Sequence, residues 1–159
     1  MKVLPDSSTI IALAKTGSLD LLRKIFGEIW VTKEVEKEII SGDFSEVGEI
    51  KKGMGKWIKI LEIKTTGYTE FEGIGNGEKS ILSYAKRRND VLLVLDETET
   101  RKIAEGEGIP YTGTIGLIIF AHERGKISKK EAVFMVKGLS RSDFRMTVEL
   151  YDWALERLK

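Results

Sequence analysis

The chain has 159 residues, 42% of them hydrophobic and 32% charged, the size and mixture of one globular, soluble domain around one core; a disordered polyelectrolyte is excluded. With no cysteine and a single histidine, His122, disulfides, thiolate metal sites and paired-histidine motifs are excluded, so chemistry must run on carboxylates. The net charge of +1 excludes bulk attraction for a polyanion, which would have to be met by a local basic patch.

Short apolar runs alternate with amphipathic stretches along the chain, the pattern of an α/β fold with a mainly parallel sheet. Residues 2–4 predict a first strand, stopped by Pro5. Asp6, Ser7 or Ser8 can cap the next helix, which carries Ile10, Ile11, Leu13 and Ala14. A second helix holds Leu19, Leu21, Leu22 and Ile25. Residues 28–31 read as a strand, and Thr32 caps a helix ending at Ser41-Gly42. A polar helix over 46–54 and a loosely alternating strand over 57–63 follow. The loop Gly73-Ile-Gly-Asn-Gly77 does not match the dinucleotide pattern G-x-G-x-x-G and reads as a hinge that orients Glu78. Glu78 opens a helix running to about Arg87.

Residues 91–95 form the clearest strand, a continuous apolar run suited to a buried parallel position. Asp96 reads as an N-cap, with Glu99 as its capping-box partner. That helix ends near Gly106–Gly108, and 109–112 predict the fifth strand. Helices over 115–124, 129–138 and 143–158 complete a single domain, 1–159. No stretch is long enough to cross a bilayer and no secretory pattern opens the chain, so the expected home is the cytoplasm, with no membrane partner.

Four acids stand apart by position. Asp6 and Asp96 fall just beyond strand ends, where open parallel sheets bind ligands. At 100° per residue, Glu78 shares a helix face with Ile81, Leu82 and Ala85, and Glu38 leans towards the Val31–Val35–Ile39 side. Converging carboxylates repel unless a cation joins them, and a hard ion such as Mg²⁺ or Mn²⁺ takes such oxygens. Each acid also has a plainer reading. Asp6 and Asp96 serve as helix caps, Glu78 complements a helix N-terminus, and Glu38 pairs with a lysine.

Taken together, Asp6-Ser-Ser-Thr-Ile-Ile-Ala-Leu-Ala-Lys, Val-Thr-Lys-Glu-Val-Glu-Lys-Glu38, Gly-Asn-Gly-Glu78-Lys-Ser-Ile, Val-Leu-Asp96-Glu-Thr-Glu-Thr-Arg101 and Thr112-Gly-Thr-Ile-Gly-Leu-Ile-Ile-Phe-Ala resemble, in order, the motifs of PIN domains. The last segment resembles a prokaryotic subfamily similar to VapC-type toxins. The resemblance implies a three-layer α/β/α sandwich with strand order 3-2-1-4-5. It also implies Mg²⁺- or Mn²⁺-dependent cleavage of single-stranded RNA, the toxin role of a toxin–antitoxin pair, an antitoxin partner and a homodimer. Position by position, it implies metal ligands or metal-positioning acids at Asp6, Glu38, Glu78 and Asp96, with Glu97 as a fifth acid. Ser7 and Thr114 match hydroxyl positions near the site, and Arg101 a basic one. Glu78 departs from the aspartate of many toxin relatives. The alternative is a PIN-like module that binds RNA or protein without cutting. Positive guides for a strand are available at Lys86-Arg87-Arg88, Arg124 with Lys126, Lys129-Lys130, and Arg141 with Arg145.

Overall fold

In a computed structural model that describes residues 1–43, 45–62 and 71–159, the strands pair in parallel. β1 (Lys2–Pro5) lies beside β4 (Val91–Val94), and β4 beside β5 (Tyr111–Thr112). The second ladder joins β2 (Ile29–Val31) to β3 (Ile58–Ile60). β1 and β2 lie against each other where the ladders abut, giving the order β3-β2-β1-β4-β5. This is the expected three-layer α/β/α architecture with its sheet split between β2 and β1. Val3 and Leu4 in β1 and Leu93 and Val94 in β4 are buried, as strands covered on both faces require.

Helices connect the strands: α1 (Ser7–Lys15), α2 (Asp20–Phe26), α3 (Lys33–Ile40), α4 (Val47–Gly53), α5 (Asn76–Ala85), α6 (Thr98–Gly106), α7 (Thr114–Glu123), α8 (Lys129–Ser140) and α9 (Val148–Arg157). By their contacts they form two groups, with α1, α3, α4 and α5 in one and α2, α7, α8 and α9 in the other. α7 buries Ile115, Leu117, Ile118, Ile119 and Ala121, too many directions for one stripe, and so serves as the centre of its group.

Several element boundaries differ from expectation. α6 is capped by Glu97, without a side-chain bond, because the oxygens of Asp96 are taken by other partners described below. α9 begins at Val148, not near 143: Thr147 accepts the backbone N–H of Leu150 and fixes the start there, while Ser142, Phe144 and Met146 turn inward in alternation. α5 begins two residues early, at Asn76, with Gly75 as its N-cap. The third strand is shorter than 57–63, and Ile63 lies outside the described residues.

Candidate active site

Parallel register sets the geometry. Pro5 is level with Val94, the backbone N–H of Asp6 donates to Val94 O at 3.0 Å, and that of Leu95 donates to Thr112 O at 2.8 Å. Asp6 and Asp96 therefore leave the carboxyl ends of neighbouring strands, which run about 4.8 Å apart. Between them stands Thr9. Its backbone N–H donates to Asp6 Oδ1 at 2.8 Å while its hydroxyl donates to Asp96 Oδ2 at 2.8 Å.

Asp6 caps α1 and is 1% exposed. Its Oδ1 also accepts from the Ser8 hydroxyl at 3.0 Å, whereas its buried Oδ2 has no hydrogen-bond partner. Burial, followed by the negative charge of Asp96, raises its pKa from 3.8 to about 7; bonds from Thr9 and Ser8 oppose the rise. Asp96 is held on three more sides. Thr114 donates its backbone N–H to Oδ1 at 2.9 Å and its hydroxyl to Oδ2 at 2.5 Å, and the Arg101 guanidinium stands 3.8 Å from Oδ1. Arg101 is itself tied by Nε to Leu95 O at 2.7 Å and lies over the Tyr111 ring. A Cβ on Gly113 would collide with this guanidinium and stand 3.2 Å from Asp96 Oδ1, so the absence of a side chain there makes room for the ion pair.

Two further acids come from the next helices. Glu38, on α3, accepts from the Ser7 hydroxyl and, through Oε1, from the backbone N–H of Gly77 at 2.8 Å. A Cβ on Gly77 would collide with that carboxylate, so the glycine permits the close approach of α5 to α3. Glu78, half-buried in the first turn of α5, accepts from the Thr100 hydroxyl of α6. Burial raises its pKa; a backbone bond from Gly75 opposes this, and the charges of Glu97 and Glu38 add to it.

The acids thus occur as a pair, Asp6 with Asp96, and a cluster, Glu78 within the fields of Glu38 and Glu97. Ser7 joins the two through its neighbour Asp6. Among the described residues no three acidic side chains converge at ligand spacing on one point, and hydroxyls and backbone N–H groups donate to most of the oxygens of Asp6, Glu38, Glu78 and Asp96. The exception is Asp6 Oδ2. A buried carboxyl oxygen without a hydrogen-bond partner, facing a second carboxylate's field, matches what a hard divalent cation would satisfy, and the donor set is entirely oxygen. The residues fit such an ion at the Asp6–Asp96 end.

Above these groups runs a groove in two halves. One, about 380 Å³, is lined by Ser7, Gly75, Glu78 and Thr100; the other, about 880 Å³, by Asp96, Arg101 and the segment between α8 and α9. Ser8, Glu97 and Glu99 line both. Of the basic residues expected to guide a strand, Arg145 lines the larger half. Lys86 pairs with Glu107 at 3.7 Å, Arg88 donates to Tyr84 O at 2.7 Å, and Arg124 lies over the Phe120 ring.

Thr9, Thr100 and Gly113 were not singled out in the sequence, and Gly77 was read as part of a hinge, not as the point where α5 meets Glu38. A polar residue on the inner face of α1 was the only signal for Thr9; Thr100 lies one turn beyond Asp96 and is buried, which its own neighbours do not reveal.

A family model described as PIN domain matches residues 2–159. No curated protein and no solved structure matches the chain.

Proposed function

We propose that this chain, which belongs to the PIN-domain family, is an endoribonuclease that hydrolyses single-stranded RNA with Mg²⁺ or Mn²⁺. Proteins of this family are generally nucleases. The observation that carries the finer reading is the buried, unpartnered Oδ2 of Asp6 in the field of Asp96. When bound, a divalent cation supplies neutralisation of the scissile phosphate and a more acidic water.

The chain's own groups have distinct tasks in this scheme. Asp6 and Asp96 hold the ion. Thr9 and Thr114 fix the orientation of Asp96 by donating to it, which leaves Asp6 Oδ2 as the oxygen free to ligate. Arg101 pairs with Asp96 and sets positive charge on the groove rim where a phosphate would arrive. Glu38, held by Ser7 and Gly77, and Glu78, held by Thr100, order solvent or a second ion on the other side of the groove. Glu97 adds a carboxylate at the junction of the two halves.

Replacing Asp6 by Asn preserves the helix cap and removes the charge. Cleavage of a labelled single-stranded RNA in Mn²⁺ should then fall by at least about 10²-fold, the scale of losing a principal electrostatic group. Undiminished cleavage in that variant rejects the assignment. One observation favours a second reading, a module that binds RNA or protein without cutting: Glu38, Glu78 and Asp96 already accept from hydroxyls, and among the described residues no three acids converge. Such a binder would lose nothing when metal is chelated.

As the toxin of a pair, the chain would meet an antitoxin that blocks the groove. A homodimer through α9 is supported by the exposure of Val148 (71%) and Trp153 (48%). Sedimentation of wild type against Trp153→Glu tests the dimer, which should dissociate.

A further inference from the structure

The larger half of the groove has a composition that a phosphate-tracking channel would not have. Its rim carries Asp96, Glu97, Glu99 and Asp143 against Lys15, Arg101 and Arg145. Two of those cations already face acids, Lys15 with Asp143 at 3.5 Å and Arg101 with Asp96 at 3.8 Å. Its floor is apolar: Ile11, Phe144, Met146 and Leu150 line it, half-buried against the core. A polyanionic backbone gains little on such a surface. A flat, uncharged group with polar edges gains much, its faces against the apolar floor and its edges bonded to the rim.

We propose that this cleft receives one unstacked nucleobase of a single-stranded polynucleotide, the base of the nucleotide beside the phosphate that Asp6 and Asp96 attend. The proposal rests on the nuclease reading for the position of that phosphate. It supplies a physical reason for preferring single strands. Seating a base here requires it to leave its stack, which costs a few kcal/mol in a duplex and much less in a single strand. Arg145, which has no acidic partner among the described residues, stands on the same rim to meet the next phosphate or lie on the base. The segment between α8 and α9 is then the recognition element: its half-buried residues Phe144 and Met146 make the floor and its exposed Arg145 makes the rim.

The test is equilibrium binding of a fluorescent RNA 12-mer in Mg²⁺ to the Asp6→Asn protein, where turnover does not compete. The intact single strand should bind about tenfold more tightly than the same strand lacking its central bases, and than its duplex, the scale of one seated base. Met146→Gln with Leu150→Gln should weaken binding of the intact strand by a similar factor, whereas Phe134→Gln, on another face, should not. Single-stranded DNA of the same sequence, bound as tightly as RNA, would identify the base as the recognised group and the sugar as unread. Equal binding of intact and base-free strands overturns the pocket, as does failure of any strand to bind. The substrate comparison needs no floor variant to fold. Cleavage by the wild type is scored separately. Base-dependent binding without cleavage sinks the nuclease reading and leaves the pocket standing; cleavage indifferent to the missing bases does the reverse.

Discussion

Asp6 is a residue whose placement opposes its own ionisation. It is 1% exposed, and its pKa is raised from 3.8 to about 7. For an acid raised in the folded state, the unfolded chain releases its proton first. Stability from this group is therefore fully present below about pH 4 and is lost as pH rises towards 7. Roughly three pK units correspond to on the order of 4 kcal/mol. In metal-free urea titrations, the stability of wild type relative to Asp6→Asn should fall by an amount of that order between pH 4 and pH 7. Added Mn²⁺ at pH 7.5 should recover much of the loss in wild type and none in the variant, since a ligand at 100 times its Kd contributes about 2.7 kcal/mol. A flat difference curve contradicts the burial argument. Gly77 is the other residue with a sharp expectation. A Cβ there collides with Glu38, so Gly77→Ala should cost about 1–3 kcal/mol in chemical denaturation by overpacking, and reduce cleavage by displacing a site carboxylate.

Between elements, the contact of α3 with α5 is set by a directional chain of hydroxyls. The backbone N–H of Val35 donates to Thr32 Oγ1 at 3.1 Å, and Ser80 Oγ donates to Gly77 O at 2.6 Å. Thr32 Oγ1 and Ser80 Oγ stand 2.7 Å apart, so with the Ser80 proton committed to Gly77 O, Thr32 is the donor between them. Both hydroxyl residues are fully buried. Ser80→Ala leaves the Thr32 proton without an acceptor and should destabilise the protein by about 1–3 kcal/mol. Urea midpoints check it, with the m-value unchanged; a neutral result would mean that α3 and α5 are held by apolar packing alone. The same scale shows where sequence patterns stop being informative. Ser128 and Glu131 form a complete capping box at the start of α8, a local motif. Asp96 and Glu99 present similar spacing, yet Asp96 bonds Thr9 and Thr114 instead. Both threonines are far along the chain, and only the strand order brings them near. Helix spacing did identify Glu38 and Glu78 as inward-leaning, because that depends on 3.6-residue periodicity and nothing beyond the helix.

At the scale of the whole molecule, the α/β class and the place of Val91–Val94 were readable because a strand buried on both faces must be a continuous apolar run. The position of Asp6 and Asp96 beyond strand ends was readable from the apolar runs; that these strands are neighbours was implied only by the family resemblance, and the β1–β4 pairing shows it. What the pattern did not carry was the state of the acids: Asp6, Glu38, Glu78 and Asp96 each accept from a hydroxyl or backbone donor, while the buried Asp6 Oδ2 has none. That depends on side-chain reach across separate helices. The sheet therefore functions as a frame that forces two carboxylates close, and the helices supply the donors that make the arrangement tolerable without a cation.

The most direct measurement is anomalous diffraction from crystals of the wild-type protein grown with Mn²⁺ at pH 7.5. A peak is predicted within bonding distance of both Asp6 Oδ2 and an Asp96 oxygen, absent in Asp6→Asn crystals. Manganese bound elsewhere, with Asp6 Oδ2 still bare and buried, would contradict the account.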